Sequence, residues 1–182
     1  TAEGEFDCPW GVVVTADSAH IIVADCYGER LQLLRLIVSG NGGTRAELAF
    51  VRSIGDGQLQ DPRGLALRSV GGGGQTVLVA ECDGHHVSEW ALDGSKIRTI
   101  GTGRSGSGDG ELQFPTDVTV LPTSGHIAIA DCENHRVSIF HGDSASFLRA
   151  FGSRGKEKDG QFNQPNALAA DAHDHLLVLD NG

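Results

Sequence analysis

Residues 113–140 read QFPTDVTVLPTSGHIAIADCENHRVSIF, and this stretch decides the fold. Three short runs stand in it. Val118 and Val120 alternate around Thr119, Ala128-Ile129-Ala130 ends on Asp131, and Val137, Ile139 alternate around Ser138. A period of two is the signature of extended chain, because successive side chains of a strand point to opposite faces. Turn residues separate the runs, notably Thr123-Ser124-Gly125 and Glu133-Asn134. Short strands joined by tight turns form an antiparallel meander.

The same grammar recurs outward in both directions. Pro9, Pro62, Pro115 and Pro165 are register marks at intervals of 53, 53 and 50 residues. Three and five places after each come Val12 and Val14, Leu65 and Leu67, Val118 and Val120, Leu168 and Ala170. A second strand follows, ending on Asp25, Glu81, Asp131 and Asp180. A third starts near Arg30, His86 and Arg136, and a fourth ends at Gly55, Gly101 and Gly152. Units fall at roughly 3–55, 56–108 and 109–158, with a partial one at 159–182. Four short strands per unit of this length build the blade of a β-propeller. The expected fold is therefore all-β, with four-stranded antiparallel blades, about three and a half of them. A blade has two apolar faces and must stack on its neighbours.

The run Asp131-Cys132-Glu133-Asn134-His135-Arg136-Val137-Ser138-Ile139-Phe140 resembles the NHL repeat signature. The other units drift from it. Tyr27-Gly28-Glu29-Arg30 keeps only the arginine, and Asp83-Gly84-His85-His86 puts histidine in the arginine slot, after Glu81 in the aspartate slot. The resemblance implies a propeller with one blade per repeat and an innermost strand lining a central channel. The post-proline residues Trp10, Arg63, Thr116 and Asn166 would then cluster at one mouth, with Tyr27 and His85 decorating its rim. Tryptophan and arginine are frequent interface anchors. The peptidyl-amide-forming lyases of this family place a zinc-binding histidine directly after the repeat proline, and none stands in that slot.

The chemistry-bearing residues have structural readings. The four carboxylates ending the second strands recur because a turn recurs, and are expected to accept N–H groups of the turn that follows. Cys26, Cys82 and Cys132 are read as packed thiols, and Cys8 as free. Adjacent His85 and His86 are expected to point to opposite faces of a strand, while His173 and His175 belong to a solvated hairpin. Gly101-Thr102-Gly103-Arg104-Ser105-Gly106 spells a phosphate-binding string, but a strand follows it where such a fingerprint needs a helix. Gly71–Gly74 reads as a flexible hairpin loop, and Ser39–Thr44 as an insertion. No cofactor, no metal and no catalysis are expected.

A formal net charge of −10 weighs against nucleic acid, whose phosphates are met by Lys and Arg. Single-stranded RNA stays open as the alternative to the expected protein partner. No apolar run is long enough to span a membrane. The chain starts at Thr1, contains no Met and shows no leader, so it reads as a piece of a cytoplasmic protein. Three and a half blades do not close a ring of the usual 4–8. A longer chain or homodimerisation would complete it.

Overall fold

The computed structural model describes residues 2–39 and 45–181. The first blade comprises β1 (Pro9–Val14), β2 (His20–Asp25), β3 (Arg30–Ser39) and β4 (Arg45–Ile54). The second comprises β5 (Pro62–Val70), β6 (Gly74–Glu81), β7 (His86–Ala91) and β8 (Lys96–Ile100). The third comprises β9 (Pro115–Val120), β10 (Ile127–Asp131), β11 (Arg136–Phe140) and β12 (Phe147–Phe151). A two-stranded parallel pair, β13 (Ser153–Arg154) and β14 (Gln161–Phe162), leads into the last sheet, β15 (Pro165–Ala170) with β16 (Leu176–Asp180). Each complete blade is an antiparallel meander in chain order. The innermost strands stand side by side, β1 against β5, β5 against β9 and β9 against β15.

Three apolar layers lie between blades. Ile22, Leu31, Ile54, Leu65, Val79 and Trp90 fill the first, and Leu78, Val87, Ile100, Val118, Ile129 and Phe140 the second. Ala128, Val137 and Ile139 meet Leu168, Leu176 and Val178 in the third. Blade 2 therefore has both faces covered, and Val77, Leu78, Val79 and Ala80 have no exposed surface. That is why Val77–Ala80 of its second strand are apolar at successive positions rather than alternating.

Charged groups also staple blade 2 to blade 3. Glu89 is buried and receives the Arg98 Nε–H at 2.6 Å and the Thr76 hydroxyl at 2.6 Å. Arg98 reaches across to the carbonyls of Gly142 and Asp143, and Arg68 bridges Glu89 and Asp143.

One loop differs in detail from the sequence reading. Gly71–Gly73 forms one 3-10 turn rather than a loose loop. Gly72 and Gly73 both sit at φ 78°, a left-handed conformation that strains any residue with a side chain. Residues 40–44 of the expected insertion lie outside the described residues; β3 and β4 on either side of it each run to 10 residues. The 101–106 string runs through turns into β9, and Ser105 bridges to Leu112 on the way.

Candidate binding mouth and its buried carboxylates

A register shift follows the repeat proline in every innermost strand: Pro9/Val12, Pro62/Leu65, Asp131/Ala130 opposite Pro115, and Pro165/Ala167. A bulge re-aims the residues it contains. The slot two places after the proline then lies deep between strands. It is Gly11, Gly64, Asp117 and Ala167. A Cβ on Gly11 would sit 2.2 Å from the Arg63 carbonyl, and one on Gly64 2.0 Å from Asp117 Oδ1, so both must be glycine.

The bulges bring the post-proline residues to one end of the channel. Trp10, Thr116 and Asn166 line a cavity of about 320 Å³ together with Gly64 and Asp117. A second cavity of about 410 Å³ adjoins it, lined by Trp10, Tyr27, Arg63, Asp61, Asp83 and Cys26. Trp10 belongs to both. It is 51% exposed, and the Arg63 guanidinium stands 4.9 Å from its ring centroid. That separation is within cation–π range. Tyr27 is 73% exposed beside them.

Thr116, although it lines the first cavity, and His85 also serve packing. Thr116 is buried, and its hydroxyl donates to the Pro165 carbonyl at 3.2 Å, tying blade 3 to blade 4. His85 lies outside both cavities. It sits in a left-handed turn rather than on a strand, packs edge-on against Phe114 at 4.7 Å and accepts the Phe114 N–H at 3.2 Å. The expectation that His85 and His86 share a strand is corrected by that turn.

Two mouth carboxylates escaped the sequence reading. Asp61 precedes Pro62 with φ 52° and accepts two bonds from Arg63, at 2.8 and 3.0 Å. It also accepts the Cys26 thiol proton. Burial opposes its charge, but Arg63 and the thiols outweigh this and hold Asp61 below the usual carboxylate range. Among the described residues no cation pairs with Asp117. It accepts the N–H of Leu168 at 2.7 Å and of Val118 at 2.9 Å. Burial nevertheless pushes its pKa up to about 6. Its signal was present in the sequence: aspartate stands where the other units carry glycine or alanine.

The cysteines are all free, with Cys26, Cys82 and Cys132 buried. Burial, reinforced by Asp61, pushes the Cys26 and Cys82 thiols up to about 12. Nucleophilic and redox chemistry needs the thiolate, so these thiols are packed and protonated at neutral pH.

The carboxylates ending the second strands are latches, buried in blades 1–3 and half-buried in the last sheet. The expectation that they bind the following turn is corrected: the backbone donor comes from the segment before the innermost strand. Asp25 accepts the N–H of Asp7 at 2.6 Å, Glu81 that of Gln60 at 3.0 Å, Asp131 that of Gln113 at 2.7 Å and Asp180 that of Asn163 at 2.8 Å. Each donor stands two residues before a repeat proline, so the latch positions the mouth-forming bulge. A cation from the third strand completes it in blades 1–3: Arg30 to Asp25 at 3.0 Å, His86 to Glu81 at 3.1 Å and Arg136 to Asp131 at 2.7 Å. The two departures in blade 2 compensate each other, a longer carboxylate meeting a shorter cation. His86 Nδ1 also lies 2.7 Å from the Gly84 carbonyl oxygen. Burial opposes the imidazolium, but Glu81 outweighs it and raises the His86 pKa.

Two of the units that carry these latches match a known repeat. The sequence profile of the NHL repeat matches residues 6–32 and 112–140, the first and third units from inner strand to third strand. The chain carries NHL repeats. The RING finger protein nhl-1 of Caenorhabditis elegans is 37% identical over 82 residues, which is 45% of this chain and 8% of that protein. Among solved structures, a chain of the nidogen/laminin complex matches with a TM-score of 0.65 at 17% identity, over 97% of this chain and 57% of that one. Hydrazine synthase of Kuenenia stuttgartiensis matches at 0.61 and 11% identity, over 97% and 43%. An inactive virginiamycin B lyase of Staphylococcus aureus, solved with quinupristin, matches at 0.57 and 11% identity, over 94% and 48%. At these identities the likeness is one of propeller fold. The NHL chain spans about half of each structure. Among its described residues, no helix is long and apolar enough to cross a membrane.

Proposed function

We propose that this NHL arc is a non-catalytic binding module that takes a protein partner at the mouth around Trp10 and Arg63. The observation that carries the reading is the half-exposed Trp10 ring stacked under Arg63, between two adjoining cavities. Aromatic and arginine side chains in this state anchor protein interfaces, because they bury large area with little loss of freedom. Tyr27 widens the apolar contact, and Glu29, Asp61 and Asp83 favour a partner segment that also carries a basic residue. The protonated thiols and the absence of histidine after the repeat prolines support a binding role over the lyase chemistry of related propellers.

Two copies completing one ring form the second part of the reading. Blade 1 turns Val12 (63% exposed) and Val14 (54%) outward, and the last sheet turns out Leu177 (64%) and Leu179 (59%). These are the two opposite faces that adjacent blades press together inside the arc. Joining arcs end to end covers both pairs under two-fold symmetry.

The mouth is tested by pull-down from native extract with the wild type, Trp10→Ala and Arg63→Ala. Loss of the same specific partner with both variants supports it, and retention of every partner with both overturns it. Capture of RNA instead, weakening steeply with salt, would favour the single-strand reading. Light scattering at micromolar concentration tests the ring: a strict monomer rules out self-completion.

A further inference from the structure

The turn between β15 and β16 reads Asp171-Ala172-His173-Asp174-His175. Both histidines lie in a solvated hairpin, as their spacing suggests, and they converge on one carboxylate. Asp171 Oδ1 accepts the backbone N–H of His173 at 2.8 Å and of His175 at 2.9 Å. That clamp leaves Oδ2 facing the two rings, with His175 Nδ1 at 2.9 Å and His173 Nδ1 at 3.9 Å. The ligand atoms of all three side chains lie within 4.8 Å of one another.

We propose that this turn binds a divalent transition metal of the zinc class through Asp171, His173 and His175. Zinc bonds of about 2.0–2.2 Å in tetrahedral geometry separate ligand atoms by about 3.3–3.6 Å. The two observed separations from Oδ2 bracket that spacing, and rotation of exposed imidazoles closes the difference. Two imidazoles with one carboxylate select zinc and its neighbours in the first transition row, whereas calcium and magnesium take all-oxygen shells. Three protein ligands leave a position for water or for a side chain of a partner.

The turn is also held in place from outside. Asp174, at φ 65°, accepts the N–H groups of Thr123 at 2.7 Å and Ser124 at 2.9 Å, and the Thr123 hydroxyl donates to the Ala172 carbonyl at 3.0 Å. The blade 3 hairpin thus braces the backbone that carries the ligands. Because β15 runs from the mouth at Pro165 to this turn after Ala170, the metal would sit on the opposite rim from Trp10. Among the described residues, the other cluster of metal-binding types, Asp61, Cys82 and Asp83, is a poorer cation site. Arg63 already occupies Asp61, and the Cys82 thiol is held protonated.

Cobalt(II) titrated into the chain and followed by absorption, then displaced by zinc, tests the proposal. The expected result is one saturable equivalent with a spectrum free of thiolate-to-metal charge transfer. His173→Ala and His175→Ala should each weaken binding beyond the roughly 10–100-fold that loss of an outer-shell partner brings. Cys82→Ala should leave the affinity unchanged, and excess magnesium should not compete. Binding unchanged in the His173→Ala/His175→Ala double variant overturns the site. So does a thiolate band that disappears with Cys82→Ala, or the lack of a saturable equivalent in the wild type.

Discussion

Blade 2 and the last sheet carry the same message in the same slots and meet opposite fates. Leu78-Val79-Ala80-Glu81 is buried at every position, whereas Leu177 and Leu179 of Leu177-Val178-Leu179-Asp180 stand more than half exposed. Both strands pair antiparallel with their innermost neighbour. What differs is the number of sheets beside them. A propeller strand is written for two neighbours, so its burial is a property of position in the arc rather than of its own sequence. The interior blade should behave as core and the end sheet as interface.

The largest expected effect lies in the interior. Trp90 is almost fully buried in the layer between blades 1 and 2, and its indole N–H donates to Ser88 Oγ at 2.8 Å. Trp90→Ala removes that packing and leaves a cavity, so unfolding stability should fall by about 3–5 kcal/mol. Denaturant melts check it. A loss no greater than that of a surface substitution would mean that the layers contribute far less than their burial implies.

The next effect is set by Asp117, which joins interior blade 3 to the end sheet. Its folded pKa is raised by burial from 3.8 to about 6, so the folded state keeps a proton that the unfolded chain releases. Stability from this group is therefore greatest below about pH 4 and declines as pH rises to about 6. At ~1.4 kcal/mol per pH unit of displacement the decline is about 1–3 kcal/mol. Asp117→Asn removes the titration, and the difference between wild-type and variant stability curves should slope over that window and be flat above it. A flat difference throughout would show that the carboxylate is solvated at the channel wall.

These contrasts explain what was legible in the sequence. The blades were, because the repeat prolines, alternating valines and strand-ending carboxylates are local signals that recur in register. The clustering of Trp10 with Arg63 and Tyr27 also followed from the repeat. The partners of the carboxylates did not, because Asp7 and Asp25 are brought together only by pairing of β1 with β2. Asp61 and Asp117 were passed over for a similar reason. Their roles arise between blades, where one unit's variable slot meets the next unit's backbone, and repeat alignment averages such slots away.

The latches give a third, smaller contrast, between blade 2 and its neighbours. Glu81 with His86 replaces the aspartate and arginine of blades 1 and 3. Burial opposes charge on both, but mutual attraction lowers Glu81 and raises His86. The histidine's contribution is present below its ordinary pKa of 6.5 and lost as pH rises through the raised value. The glutamate's is present above 4.5 and lost as pH falls through the lowered one. Glu81→Asp and His86→Arg should each destabilise, and the pair together should recover, with a coupling of about 1 kcal/mol near neutral pH. Full additivity would deny the compensation.

The smallest effect on stability belongs to the end sheet, and there the readout changes. Leu177 is 64% exposed. Leu177→Lys should therefore alter the unfolding stability of a single arc by no more than about 0.5 kcal/mol. Association is a different matter. A lysine at the centre of a face that another blade must cover is desolvated without a partner. Leu179, Ala167 and Ala169 around it offer no acceptor side chain. If two arcs complete the ring, Leu177→Lys should yield the monomer mass by light scattering at concentrations where the wild type is a dimer, with its melting curve barely moved. Val12→Lys, on the opposite end face, should do the same, because each junction uses one face of each kind. A dimer that survives both substitutions would place the contact elsewhere on the arc, and the likeness between end sheet and interior blade would then stop at their sequences.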